Sequence, residues 1–165
     1  MTIDRLLFVL TFLSALGCGL MAGFFFAFSA CMMNALANLP PAQGIAAMQS
    51  INVVVLNRWF LGVFFGTAAA CVLLAACSLL MWHKPGAIYR LIGGALYLVG
   101  TILVTIIFNV PRNDALASVD PASANGASLW AGYLISWTAW NHVRTVAALA
   151  AAASLTIALC LPRAA

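Results

Sequence analysis

Trp137-Thr-Ala-Trp140-Asn141-His142-Val-Arg144 sets an amide, an imidazole and a guanidinium beside two indoles, where a run of Ala, Leu, Val and Ile from Val143 to Leu161 begins. Polar and ionisable groups at the mouth of an apolar helix are expensive to keep, so a functional site is the first reading to test. The competing reading is anchoring, since Trp collects at membrane interfaces and Arg reaches out of apolar surroundings to phosphates. A second polar knot, Asn109-Val-Pro-Arg-Asn113, favours the site, because chain topology brings it to the same end of the molecule. On a helix, Trp137, Trp140, Asn141 and Arg144 share an arc of about 100°, and His142 falls with Thr138 and Thr145 on a neighbouring face. Aromatic walls, amide donors and one Arg suit a flat, apolar, oxygen-bearing ligand that partitions from the bilayer. Metal binding is poorly supported, since His142 and His83 fall on opposite sides, no Cys is near, and the only carboxylates are three Asp. Proton-coupled export is equally weak, because no Asp or Glu sits at depth in a span.

The elements that must position these groups follow from composition. With 65% of residues hydrophobic and 6% charged, and a mean hydropathy of +1.10, the chain is an all-α integral membrane protein. Its 165 residues hold four spans and little else, so a single domain over 1–165 is expected. The net charge of +4 is scattered over helix ends and forms no stripe, which excludes nucleic acid as a partner. Cys18, Cys31, Cys71, Cys77 and Cys160 lie in apolar runs without CxxC spacing and read as small buried hydrophobes.

Apolar runs place the spans at about 6–33, 59–82, 88–109 and 137–161. Ala15-Leu-Gly-Cys18 faintly suggests a cleaved lipoprotein signal, but the chain stays hydrophobic to Met33, which points to an uncleaved first span. Small residues at every fourth position, Ala15, Gly19, Gly23, Ala27 and Cys31, predict a stripe for close helix packing, and Gly62, Gly66 and Ala70 repeat it. Residues of about 42–57 mix Ile45, Met48 and Val55 with Gln43, Gln49, Asn52 and Asn57, a composition for a short interfacial helix or a cap over the bundle mouth. His83-Lys84-Pro85-Gly86 is a turn, and Pro111 predicts a helix stop near Asn109. Asp120-Pro121 reads as an N-cap with proline at the first helical position, opening a pre-span segment of about 121–136. Trp130, Tyr133, Trp137, Trp140 and Arg144 recur at intervals of three and four and so form one stripe on that helix. The fold expected is a four-transmembrane-helix bundle, with a short interfacial helix after the first span and a long, outward-extended last helix. One side carries Arg5, Lys84, Arg90 and Arg163; the other carries Arg58, Arg112 and Arg144 beside Asp114 and Asp120. The positive-inside pattern then puts both termini in the cytoplasm of a bacterial cell, and the polar constellation at the outer face of the inner membrane.

Three separated stretches carry a resemblance: Met48-Gln-Ser-Ile-Asn52 with Asn57, Asn109-Val-Pro-Arg-Asn113-Asp-Ala-Leu, and Trp137-Thr-Ala-Trp140-Asn141-His142-Val-Arg144. In order and spacing they resemble the anthrone oxygenase-like membrane proteins, a family long described as of unknown function. The resemblance implies a four-span helical protein whose best-known members, in fungal polyketide pathways, oxidise an anthrone to an anthraquinone with dioxygen and no obvious cofactor. If that activity carries over, the chemistry needs a base, an oxyanion stabiliser and a dry aromatic slot, which casts His142 as base, Arg144 with Asn141 or Asn109 as oxyanion stabilisers, and Trp137 and Trp140 as walls. Asn113, Asn52, Asn57, Tyr133 and Trp130 complete the expected lining. The partners expected are membrane lipid, an apolar aromatic small molecule and dioxygen, with no cofactor and no metal. A non-catalytic protein that binds a lipid or quinone, or serves as an accessory subunit, is the alternative.

Overall fold

The computed structural model describes residues 3–161, which fold into helices joined by short turns. Four of them are long and apolar enough to cross a membrane: α1 (Ile3–Ala37), α3 (Arg58–Leu80), α4 (Ala87–Ala117) and α5 (Ala124–Cys160). A shorter helix, α2 (Pro41–Val54), separates the first two. The all-α class expected from composition is therefore the class observed. Helices α1 and α4 each pack against both α3 and α5, so the four run up and down around a shared core. That core is built from Met21, Phe25, Phe64, Leu74, Tyr97 and Leu155, all but sealed from the surroundings.

Helix α2 folds against α5 and the end of α4 with Gly44, Ile45 and Met48 buried, and so covers one end of the bundle. A Cβ at Gly44 would lie 3.0 Å from the Trp130 ring, so glycine is what lets α2 lie flat on that indole. Gln49 fastens it by donating from Nε2 to the carbonyls of Leu116 (2.9 Å) and Val119 (3.1 Å), at and just beyond the end of α4. At the opposite end Lys84 Nζ meets Asp4 Oδ1 at 2.7 Å, joining the start of α1 to the turn between α3 and α4. Arg163, counted in the charge balance of that end, lies outside the described residues.

Several boundaries differ from the sequence expectation. Pro111 does not end α4, which runs on to Ala117. Wide helical turns at Leu98–Leu103 and Thr105–Asn109 precede the proline, and Val110 donates to the carbonyl of Thr105, five residues back. The wide turn makes room for the pyrrolidine ring, which would otherwise strike the carbonyl four residues back. A third wide turn, Phe28–Met32, carries α1 past Met33. The last helix is capped by Ser123, whose side chain accepts from Gly126 N at 3.0 Å, and not by Asp120. Asp120 Oδ1 accepts from Ala122 N at 3.0 Å, which closes a turn before the helix starts.

The small-residue stripes are also corrected. Gly19, Gly23, Gly62 and Gly66 face open space, with nothing within 4 Å of an added Cβ. Helix α1 turns inward the face bearing Leu7, Cys18, Met21 and Phe25. Volume decides this, because larger side chains make more dispersion contacts in the interior than a glycine stripe can. Close approaches occur at glycines elsewhere: Gly17 against Thr67, and Gly100 against Ala147. Of the five free cysteines only Cys18 and Cys71 are buried, while Cys31 and Cys160 are exposed on outward helix faces.

Candidate functional site

Helix α5 supplies the backbone of the site. Trp130, Tyr133, Trp137, Asn141 and Arg144 are buried along one face, as their spacing requires. Trp130 and Tyr133 stack with centroids 5.5 Å apart, and Tyr133 and Trp137 follow at 5.9 Å. Asn113 of α4 ties this ladder together, its Oδ1 accepting from the Tyr133 hydroxyl and from Trp137 Nε1, each at 2.8 Å. Asn109, one turn earlier on α4, donates from Nδ2 to the Trp137 carbonyl at 3.3 Å, and its buried Oδ1 has no partner. The wide turn at Thr105–Asn109 brings Thr105 and Asn109 to the interior on the α5 side.

Arg144 is the centre of the arrangement. It is only 5% exposed, yet it has no carboxylate partner. The one ion pair among the described residues is Lys84 with Asp4, at the other end. The guanidinium lies between two rings, with Cζ 4.4 Å from the Phe25 centroid and 5.0 Å from that of Trp137. Nη2 donates to Asn141 Oδ1 at 2.7 Å and Nη1 to Thr105 Oγ1 at 3.3 Å, while Nε is buried without an acceptor. Removing a charge from water costs several kcal/mol, and ring contacts return about 2 kcal/mol. The chain supplies a dehydrated cation whose Nε–H is free, and no anion.

Asn141 holds that cation in place. Its Nδ2 donates to the Phe25 carbonyl (2.8 Å) and to Ser29 Oγ (2.7 Å), both on α1. Ser29 shares a 3.2 Å hydrogen bond with Thr145 Oγ1, which in turn donates to the Asn141 carbonyl at 2.9 Å. The wide turn in α1 begins at Phe28, beside these residues, so departures from regular helix occur on both helices that face Arg144. Such turns concentrate at functional sites.

The remaining candidates separate from this cluster. His142 is exposed, and lines an open apolar groove of about 820 Å³ between α4 and α5 with Val99, Gly100 and Val146. Trp140 is half-buried and stacks on Phe108, centroids 3.5 Å apart and planes 6° from parallel. Asn52 of α2 sits beside the Tyr133 hydroxyl, with its own Nδ2 unpartnered. Asn57 stands apart: it is exposed and caps α3, its Oδ1 accepting from Trp59 N and Phe60 N at 3.0 and 3.1 Å. The sequence reading missed Phe25, Ser29 and Thr105, the residues that hold Arg144 and Asn141 from the facing helices. Ser29, a hydroxyl directly after the run Phe24-Phe-Phe-Ala-Phe28, was the available signal. Among the described residues no three His, Cys, Asp or Glu side chains converge.

A helical membrane protein with an aromatic ladder and a buried, uncompensated arginine is the class that fold and site define together. Residues 55–154 match the family described as anthrone oxygenase, and the chain belongs to that family. No curated protein and no solved structure matches it. The matched region holds α3, α4 and most of α5, with Asn109, Asn113, Trp137, Asn141 and Arg144. It leaves out Phe25 and Ser29.

Proposed function

We propose that the protein oxidises a flat phenolic or anthrone-type aromatic with dioxygen and without a cofactor, within the bacterial cytoplasmic membrane. The observation that carries this reading is Arg144, a buried guanidinium that lacks an anion and keeps its Nε–H free among aromatic rings. An anthrone bears a methylene conjugated to a ketone. Loss of its proton puts negative charge on the ketone oxygen, and a fixed cation in dry surroundings stabilises that oxygen far more than water would. The electron-rich enolate passes an electron to dioxygen, and recombination forms a C–O bond to give a hydroperoxide. Loss of water from the hydroperoxide leaves the quinone carbonyl, so one dioxygen is consumed and one water released.

In this scheme Arg144, with the remaining Nδ2 hydrogen of Asn109, holds the oxyanion while Asn141 positions the guanidinium, and Trp137, Tyr133 and Trp130 provide flat walls. His142 accepts the proton from the groove side. It stands two residues from Arg144 on an adjoining face of α5, so the substrate would enter from lipid through the groove between α4 and α5. The test is oxygen uptake with a simple anthrone in detergent micelles, corrected for the spontaneous reaction. Losing a charge-assisted contact to the oxyanion costs about 2–4 kcal/mol in the transition state, so Arg144→Leu should lower turnover roughly 30- to 1000-fold. His142→Ala should lower it with little change in binding. Equal rates in parent, both variants and empty micelles would remove this substrate class.

A second reading has its own support. Side chains fill the interior around Asn141 and Arg144 and bond mainly to one another, while the open space lies on the lipid side. On that reading the protein binds a lipid or a quinone in the groove without turning it over. Retention of a quinone probe that is lost in Val146→Trp, with no oxygen uptake from any anthrone, would favour it.

A further inference from the structure

Far from Arg144, the bundle end that carries Asp4 and the α3–α4 turn holds a second buried arginine. Arg90 is 7% exposed, and its Nε is buried without a hydrogen-bond partner. It lines a cavity of about 60 Å³ together with Asp4, Leu7, Thr11, Lys84 and Leu161. Asp4 is already engaged by Lys84 at 2.7 Å, and the Thr11 hydroxyl donates back to the Leu7 carbonyl at 2.6 Å. Among the described residues, the three charged side chains around the cavity are thus an ion pair and one unbalanced cation.

From this we propose that the cavity is an anion site for a phosphate group, with Arg90 as its principal donor. Charge sets the class, because a singly charged phosphodiester would bring the cavity to neutrality. Size permits it, since about 60 Å³ is several times the roughly 10–15 Å³ that a single water needs and leaves room for a small polar group. The surroundings agree, since the positive end of α4 begins at Ala87, three residues from Arg90, and Gly86 offers it no side-chain cap. Guanidinium is also the side chain best matched to phosphate oxygens. A membrane lipid headgroup and free inorganic phosphate share this chemistry.

Native mass spectrometry of the purified full chain in detergent separates the two sources, with phosphatidylglycerol, diacylglycerol and inorganic phosphate as probes. The parent should retain phosphatidylglycerol and release diacylglycerol. Arg90→Gln should lower retention at least tenfold, Arg90→Lys should restore part of it, and the exposed Arg5→Gln should stay within twofold of the parent. Leu161→Trp, which fills the cavity and spares Arg90, should also lower retention, and it decides the matter if Arg90→Gln does not fold. Retention of inorganic phosphate with displacement of the lipid would support the site and assign it to the free ion. Equal retention of phosphatidylglycerol and diacylglycerol, no loss in Leu161→Trp, or an equal loss in Arg5→Gln would overturn the proposal.

Discussion

Arg144 and Asn141 are bonded to each other, yet removing one is not equivalent to removing the other. Asn141→Leu takes away the acceptor of Arg144 Nη2 and the bridge to Phe25 and Ser29, leaving the guanidinium buried with even fewer partners. Leaving a buried charged donor without its acceptor costs about 3 kcal/mol or more. Arg144→Leu instead removes the charge itself and substitutes a shorter apolar side chain. The relief of desolvation offsets the unpaired Asn141 oxygen, so its stability should stay within about 2 kcal/mol of the parent. Thermal unfolding in detergent checks the order, and an Arg144→Leu protein less stable than Asn141→Leu would contradict it. The sequence exposed the Trp137-to-Arg144 half of this site because polar residues stand out in an apolar run. It could not show that Phe25 and Thr105 complete it, since a Phe in a Phe-rich span carries no signal and a Thr in a helix commonly bonds its own backbone.

At the scale of the helices, the number and type of elements were legible and their contact faces were not. Length and hydropathy suffice for four spans, whereas the inward face depends on which side chains fill the shared interior. Gly17 and Gly23 show the difference within one helix. A Cβ at Gly17 would collide with the Thr67 side chain of α3, while one at Gly23 would meet nothing within 4 Å. Gly17→Leu should therefore separate α1 from α3 and destabilise the bundle by about 2 kcal/mol or more, as overpacking does. Gly23→Leu should be neutral or slightly stabilising through helix propensity. Comparable loss in both variants, read from detergent-melting midpoints, would return the packing role to the Gly19–Gly23 stripe. The passage of α4 through Pro111 was illegible for a related reason. The wide turns that accommodate the ring carry no sequence signature, and a proline by itself reads as a stop.

For the molecule as a whole, the structure changes the charge count on which orientation rests. Arg144 is buried about 30 Å along α5 from its start, so it no longer counts among the charges of the α2 end. Arg112 at that end is turned inward, donating to Ser136 Oγ at 3.0 Å and to the Phe108 carbonyl. What remains there is Arg58 with Asp114 and Asp120, against Arg5, Lys84 and, counted from the sequence, Arg163 with Asp4 at the other end. The bias toward a cytoplasmic Lys84 turn is thus stronger than the sequence alone gave, because Lys and Arg in short loops set topology while Asp contributes little. Reporter fusions at Lys84 and near Asp120 should read cytoplasmic and extracytoplasmic respectively. Placing lysines at Asp114 and Asp120 should then yield a mixed population, since it would set three basic residues against Arg5, Lys84 and Arg163 at the other end. A uniform orientation in that double variant, or both parental reporters on one side, would show that something other than loop charge orients the bundle.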